Sequence, residues 1–119
     1  METKKIMIVD DEENMRFLLT EELGEEGFHV ITAASAEEAL DLFEKHPDIS
    51  LVTIDIEMPG ISGLELAGML RNKKPDLKIV LLTAYTHYKQ DMASWAADAY
   101  VVKSTDLREF KETIKKLLD

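Results

Sequence analysis

The chain has 119 residues, 45% apolar and 32% charged, with a formal net charge of −10 and no cysteine. That length and composition suit one soluble domain across residues 1–119 with its own core and exclude a disordered chain. The missing cysteines exclude a disulfide framework or thiolate metal site, and the acidic balance argues against direct contact with nucleic acid, which rests on cationic groups at phosphate.

METKKIMIVDD lacks the apolar length of a signal peptide, and no run reaches the length of a membrane span. A reducing cytoplasm is the expected compartment. Lys4–Val9 reads as a short buried strand. Glu13–Glu25 then sets Met15, Leu18, Leu19 and Leu23 near helical spacing, with Gly27 as its stop. His29–Ala33 is a second strand. Ser35 and Glu38 form a capping box before Ala39, Leu40, Leu42 and Phe43, and Pro47 ends that helix. Ile49–Ile54 is the third strand, and Asp55–Ser62, with Pro59 and Gly60, is a loop. Ser62 and Glu65 make a second box ahead of Leu64, Leu66 and Leu70. Lys78–Leu82 is the fourth strand, Thr86–Trp95 a short helix and Ala99–Val102 the fifth strand. Asp106 and Glu109 form a third box leading Leu107, Phe110, Ile114, Leu117 and Leu118.

Five strands alternating with five helices argue for an α/β fold: a doubly wound parallel sheet with helices on both faces. The flavodoxin-like order 2-1-3-4-5 places a topological switch point between the first and third strands, and ligands bind at the carboxyl ends of such strands. Asp10 and Asp11, Asp55 and Lys103 each follow an apolar strand run, so all four converge on that crevice. Packed carboxylates repel one another. A hard cation such as Mg²⁺, which takes oxygen ligands and keeps some waters, removes the conflict. Asp can also act as a nucleophile toward a phosphoryl group. Lys103 would neutralise a phosphoryl oxygen, and Thr83 offers it a hydroxyl donor.

With these residues in place, the chain resembles the receiver domain of bacterial two-component response regulators, including the chemotaxis regulators, over essentially its whole length. The residues carrying the resemblance are Asp10-Asp11, Asp55, Met58-Pro59, Gly63, Thr83-Ala84 and Tyr100-Val-Val-Lys103. The resemblance implies that Asp55 accepts a phosphoryl group from a histidine kinase or phosphotransfer protein. It implies that Asp11 and Asp55 ligate Mg²⁺ by side chain, Glu57 by its backbone carbonyl and Asp10 largely through water. Lys103 would pair with the phosphoryl group, and Thr83 would hydrogen-bond it with help from the Ala84 amide. Tyr100 would change rotamer in step and alter the face made by the Thr86–Trp95 helix, the fifth strand and the last helix. A downstream protein or an attached output domain would read that face, with neither nucleic acid nor membrane contacted directly. The resemblance also allows a phosphorylation-dependent dimer. Catalysis would be confined to the chain's own phosphorylation and slow dephosphorylation.

Departures from the family pattern gather near the output face. Ser104 stands where Pro is usual after the lysine, Ala96 where Gly commonly precedes the last strand, and Thr105 where an aromatic is frequent. The Lys103–Ser104 bond is expected to be trans, because cis costs about 2.5–4 kcal/mol without proline. Tyr85 could cover the phosphoryl site or be a loop aromatic; His87 reads as a surface residue and Trp95 as a core anchor. Two other functions stay open on the residues alone. A Mg²⁺-dependent phosphohydrolase would share the aspartyl nucleophile. A flavin- or nucleotide-binding module would share the fold, but no glycine-rich loop follows the first strand.

Overall fold

The structure is a computed structural model that describes residues 3–84, 96–104 and 106–119. The strands are β1 (Lys5–Val9), β2 (His29–Ala33), β3 (Ile49–Asp55), β4 (Lys78–Thr83) and β5 (Ala99–Val102). The helices are α1 (Glu13–Glu25), α2 (Ala36–Lys45), α3 (Gly63–Lys73) and, after β5, α4 (Arg108–Leu118). The five strands form one parallel sheet in the order β2-β1-β3-β4-β5, as the alternation predicts. The expected Thr86–Trp95 helix, with Tyr85, His87 and Trp95, and also Thr105, lies outside the described residues.

Strand alternation sorts the core into two layers. Met7, Val9, Val52, Ile54, Ile79 and Leu81 point to the face covered by α2 and α3 and meet Ala39, Phe43, Leu66 and Leu70 there. Ile6, Ile8, Leu51, Val80, Leu82 and Val101 point to the other face and pack on Leu19, Leu23, Phe110 and Ile114 of α1 and α4. Because β1, β3 and β4 are covered on both faces, they read as nearly unbroken apolar runs. Side chains of this size each stabilise the fold by about 1.5–3 kcal/mol when fully buried.

The helix starts depart from the sequence reading in detail. Ser35 Oγ accepts from Glu38 N at 3.1 Å, but Glu38 reaches back to the amide of Ala34, at 2.8 Å, one residue beyond the expected cap. Ser62 Oγ accepts from Glu65 N at 3.2 Å as expected. The Asp106–Glu109 box does not form. Asp106 instead accepts from the amide of Arg108 at 3.0 Å and from its guanidinium at 2.6 Å. Arg108 holds that carboxylate by its amide and by a charge-assisted pair with its guanidinium, so Asp106 stands one residue ahead of the cap and α4 starts at Arg108, with Leu107 as its cap. Strands β3 and β4 each run one residue further than expected, which carries Asp55 and Thr83 into the ladder itself. No described peptide bond is cis, Lys103–Ser104 included.

Gly27 stops α1 with a φ of +93°, a conformation that costs glycine little. Gly63 serves a different purpose. A Cβ there would lie 2.8 Å from Ile56 Cα and 2.9 Å from the Asp55 carbonyl carbon. Only glycine lets the first turn of α3 rest on the strand end that carries Asp55.

Candidate functional site

The crevice forms because three strands run out of apolar residues at the same level. Asp10, Asp55 and Lys103 each stand two residues beyond a side chain facing the α1/α4 layer: Ile8, Thr53 and Val101. Neighbouring backbones fix the three ends. Asp10 N donates to Ala33 O at 3.1 Å, Ile56 N to Leu82 O at 2.9 Å and Lys103 N to Thr83 O at 2.7 Å.

Asp10 is fully buried and Asp55 is 2% exposed. Each carboxylate is held by an amide two residues on: Asp10 Oδ1 accepts from Glu12 N at 2.9 Å, and Asp55 Oδ1 accepts from Glu57 N at 3.0 Å. Arg16 of α1 donates to the Asp10 carbonyl at 2.7 Å and pins the strand end to the helix. Lys103 Nζ is central, 3.1 Å from Asp55 Oδ2, 3.5 Å from Asp10 Oδ2 and 3.6 Å from Glu12 Oε1. Asp11 is exposed at the rim.

One lysine does not balance these acids. Burial, reinforced by the Asp10 charge, pushes the Asp55 carboxyl up to about 6 against the opposing pull of Lys103 and the Glu57 amide. Burial also raises Asp10. Burial alone would lower Lys103, but its hydrogen bond to Asp55 and the charges of Asp10, Asp55 and Glu12 outweigh it, so the ammonium is held charged. Asp10 Oδ2 is buried without a hydrogen bond. One carboxylate oxygen from each of Asp10, Asp11 and Asp55 lies within 4.8 Å of the others. An all-oxygen set, a buried oxygen with no hydrogen bond and only a long ion pair to Lys103, and excess negative charge fit a hard divalent cation held with some of its waters.

Across the crevice, the ends of β3 and β4 are tied by Glu57. Its carboxylate accepts from Thr83 Oγ1 at 3.2 Å and from Ala84 N at 3.3 Å. Tyr100 is partly buried against the α2/α3 layer, on the face away from Lys103. The structure thus gathers the expected Asp10, Asp11, Asp55, Glu57, Thr83, Ala84 and Lys103 into one crevice, with Tyr100 behind it. Glu12 and Arg16 were not anticipated as part of it. Both are charged residues at the start of a helix, a pattern too common to single them out.

The profile of the response regulator receiver domain matches residues 6–115. Sporulation initiation phosphotransferase F of Bacillus subtilis (strain 168) is 32% identical over 121 residues, covering 99% of this chain and 96% of that protein. A probable transcriptional regulator, ycf27 of Cyanophora paradoxa, is 39% identical over 97% of this chain, which spans only 48% of the relative's length. The ycf27 proteins of other organisms and the PhoP regulator of Bacillus subtilis are likewise spanned over about half their length. Among solved structures, the response regulator TrrA of Thermotoga maritima, in complex with Mg²⁺ and beryllofluoride, is 59% identical, with a TM-score of 0.91 over 97% of this chain and 99% of that one. TrrA in complex with the histidine kinase ThkA matches at 60% identity and a TM-score of 0.90, covering 98% of this chain and all of TrrA. Matched by the family profile from Ile6 to Lys115, and paired with a relative over 96% of that relative's length, the chain belongs to the response regulator receiver domain family.

Proposed function

We propose that this chain is a phosphoryl-accepting signalling switch, a single receiver domain over residues 1–119, in which Asp55 takes a phosphoryl group from a histidine kinase or phosphotransfer protein. The observation that carries this reading is the pairing of a buried carboxylate with a partly buried ammonium at the switch point of the sheet, Asp55 Oδ2 to Lys103 Nζ at 3.1 Å. The Glu57 amide fixes the Asp55 rotamer. The carboxylate attacks phosphorus as the bond from phosphorus to the donor imidazole breaks, and Lys103 follows the charge that moves onto the phosphoryl oxygens.

Asp10, Asp11, Asp55 and the Glu57 carbonyl would hold Mg²⁺, which supplies positive charge to the transferring oxygens. The same cation in the TrrA complex supports this choice. Thr83 and the Ala84 amide would hydrogen-bond the product, and Tyr100 would carry the change to the surface of β5 and α4. A downstream protein or an attached domain would read that surface. The chain would turn over no external substrate beyond its phosphodonor. No helix among the described residues is long and apolar enough to cross a membrane, and we assign the chain to the cytoplasm.

Incubation with Mg²⁺ and acetyl phosphate or phosphoramidate is expected to add one phosphoryl group by mass, and Asp55→Asn to show none. Full labelling of that variant would overturn the assignment.

A further inference from the structure

The Glu57 side chain has no part in the chemistry described above, yet it occupies the two donors assigned there to the phosphoryl product. Its Oε2 takes the Thr83 hydroxyl at 3.2 Å and its Oε1 takes the Ala84 amide at 3.3 Å. Both carboxylate oxygens are engaged, one donor each. The reach is fixed at the root, because the Glu57 amide is bonded to Asp55 Oδ1 at 3.0 Å. The side chain therefore leaves the same turn that holds the phosphoacceptor.

A carboxylate and a phosphoryl group are alike to such donors. Both offer anionic oxygens that strengthen a hydrogen bond from a hydroxyl or an amide. They cannot share one seat, because two anions at hydrogen-bond distance from the same N–H and O–H repel each other. We infer that Glu57 is an internal surrogate for the phosphoryl group: its carboxylate fills the Thr83/Ala84 anion seat in the resting state and must leave before any incoming anion can be grasped there. Glu57 thereby sets the affinity of the site for its anion, as a positioning residue that never touches the reacting bond. This inference rests on the proposed function and adds to it a competitor built into the chain.

The competition makes the direction of each substitution unusual. Shortening an acidic side chain beside a metal-binding cluster would ordinarily weaken the site. Here Glu57→Ala keeps the backbone carbonyl, empties the seat and removes a repelling charge, so binding of the anion tightens. Glu57→Gln keeps the shape and one acceptor oxygen but loses the charge, so it falls between the two. The bonds are long and the carboxylate is only half-buried, so the effect is moderate, about 3- to 10-fold.

The test is titration calorimetry of wild type, Glu57→Ala and Glu57→Gln, first with Mg²⁺ alone and then with beryllofluoride at saturating Mg²⁺. The Ala84 amide resonance is followed in the ligand-free proteins. Expected are Mg²⁺ affinities within about 2-fold of wild type, tighter beryllofluoride binding in the order Ala, Gln, wild type, and a displaced Ala84 resonance in Glu57→Ala. Unchanged beryllofluoride affinity, or an unmoved Ala84 resonance, overturns the inference while leaving the proposed function standing. A collapse of Mg²⁺ affinity in Glu57→Ala also overturns it, because the side chain would then be a metal ligand. If wild type and both variants bind no beryllofluoride at all, the proposed function falls, and this inference with it.

Discussion

Arg71 of α3 and Asp98 ahead of β5 form one junction: the guanidinium donates to Asp98 Oδ2 at 2.7 Å, and that same oxygen accepts from Ile79 N of β4 at 2.8 Å. Arg71 also donates to the carbonyls of Leu77 at 2.6 Å, Pro75 at 2.7 Å and Ala96 at 2.7 Å. One side chain thus ties the end of α3 to the starts of β4 and β5.

Such a fork cannot be built by a single ammonium. Arg71→Lys is expected to lower stability by about 1–3 kcal/mol, nearly as much as Arg71→Ala, because carbonyls are left unpaired in both. Urea unfolding midpoints measure the difference. A fully stable lysine variant would show that one bond suffices.

The pH dependence of Asp55 has a definite sign. Its folded carboxyl is raised to about 6 from a reference of 3.8. The folded state therefore binds the proton more tightly than the unfolded chain, so ionisation of Asp55 costs stability above about pH 6, and the cost is recovered as pH falls toward 4. Asp55→Asn removes this titration. Relative to wild type in chelator, the variant is expected to gain stability between pH 4 and 6 and hold a constant advantage above that, with a total change of up to about 3 kcal/mol. Denaturant melts at a series of pH values check it; a gap independent of pH would contradict the cause assigned to the shift.

Removing the lysine exposes the opposite imbalance. Lys103→Met leaves Asp10 and Asp55 buried without their shared cation, which at pH 8 and without metal is expected to cost about 2–4 kcal/mol. Added Mg²⁺ narrows that gap, and so does lowering the pH to 5. Calorimetric melts under the three conditions are the measurement, and a variant as stable as wild type in all three would remove Lys103 from the charge balance of the site.

Gly63→Ala drives a methyl group against the backbone of Asp55 and Ile56. The strand end must move or the first turn of α3 must unwind. Expected are a loss of about 1–3 kcal/mol and slower labelling by acetyl phosphate; unchanged labelling would mean that the strand end yields without moving the carboxylate.

The output face is tested by amide hydrogen exchange. Beryllofluoride with Mg²⁺ is expected to change protection in residues 96–104 more than in α1 and α2. A response confined to the first two helices would move the output face there. Tight, salt-sensitive binding of duplex DNA by this chain would overturn the choice of a protein partner.

The strands and the crevice were legible because apolar runs ending in Asp or Lys mark both a strand and its exit. The helix starts were less so. A spacing of three residues marks a capping box, but at Asp106 the adjacent Arg108 offered a stronger partner, and nothing in the spacing says which wins. The hidden part of the site comprises side chains that reach across the sheet. The family resemblance assigned Glu57 only a backbone-carbonyl role toward Mg²⁺, yet its carboxylate meets β4, 26 residues away. Arg71 meets Asp98 across 27 residues. Contacts of that range depend on side-chain rotamers as well as on sheet order, and the rotamers are not written in local sequence.

The placement of Asp10, Asp55 and Lys103, each two residues past an α1/α4-facing side chain, also bears on which changes of length the chain can survive. Deleting a single residue within β1, β3 or β5 would turn the terminal group to the opposite face. The crevice would lose that group even where the sheet still assembled. An extra residue in the Phe28 connection between α1 and β2 shifts none of the three. A library of one-residue deletions should therefore split sharply, with signalling lost at three short stretches of chain and retained in the turns on the far side of the sheet.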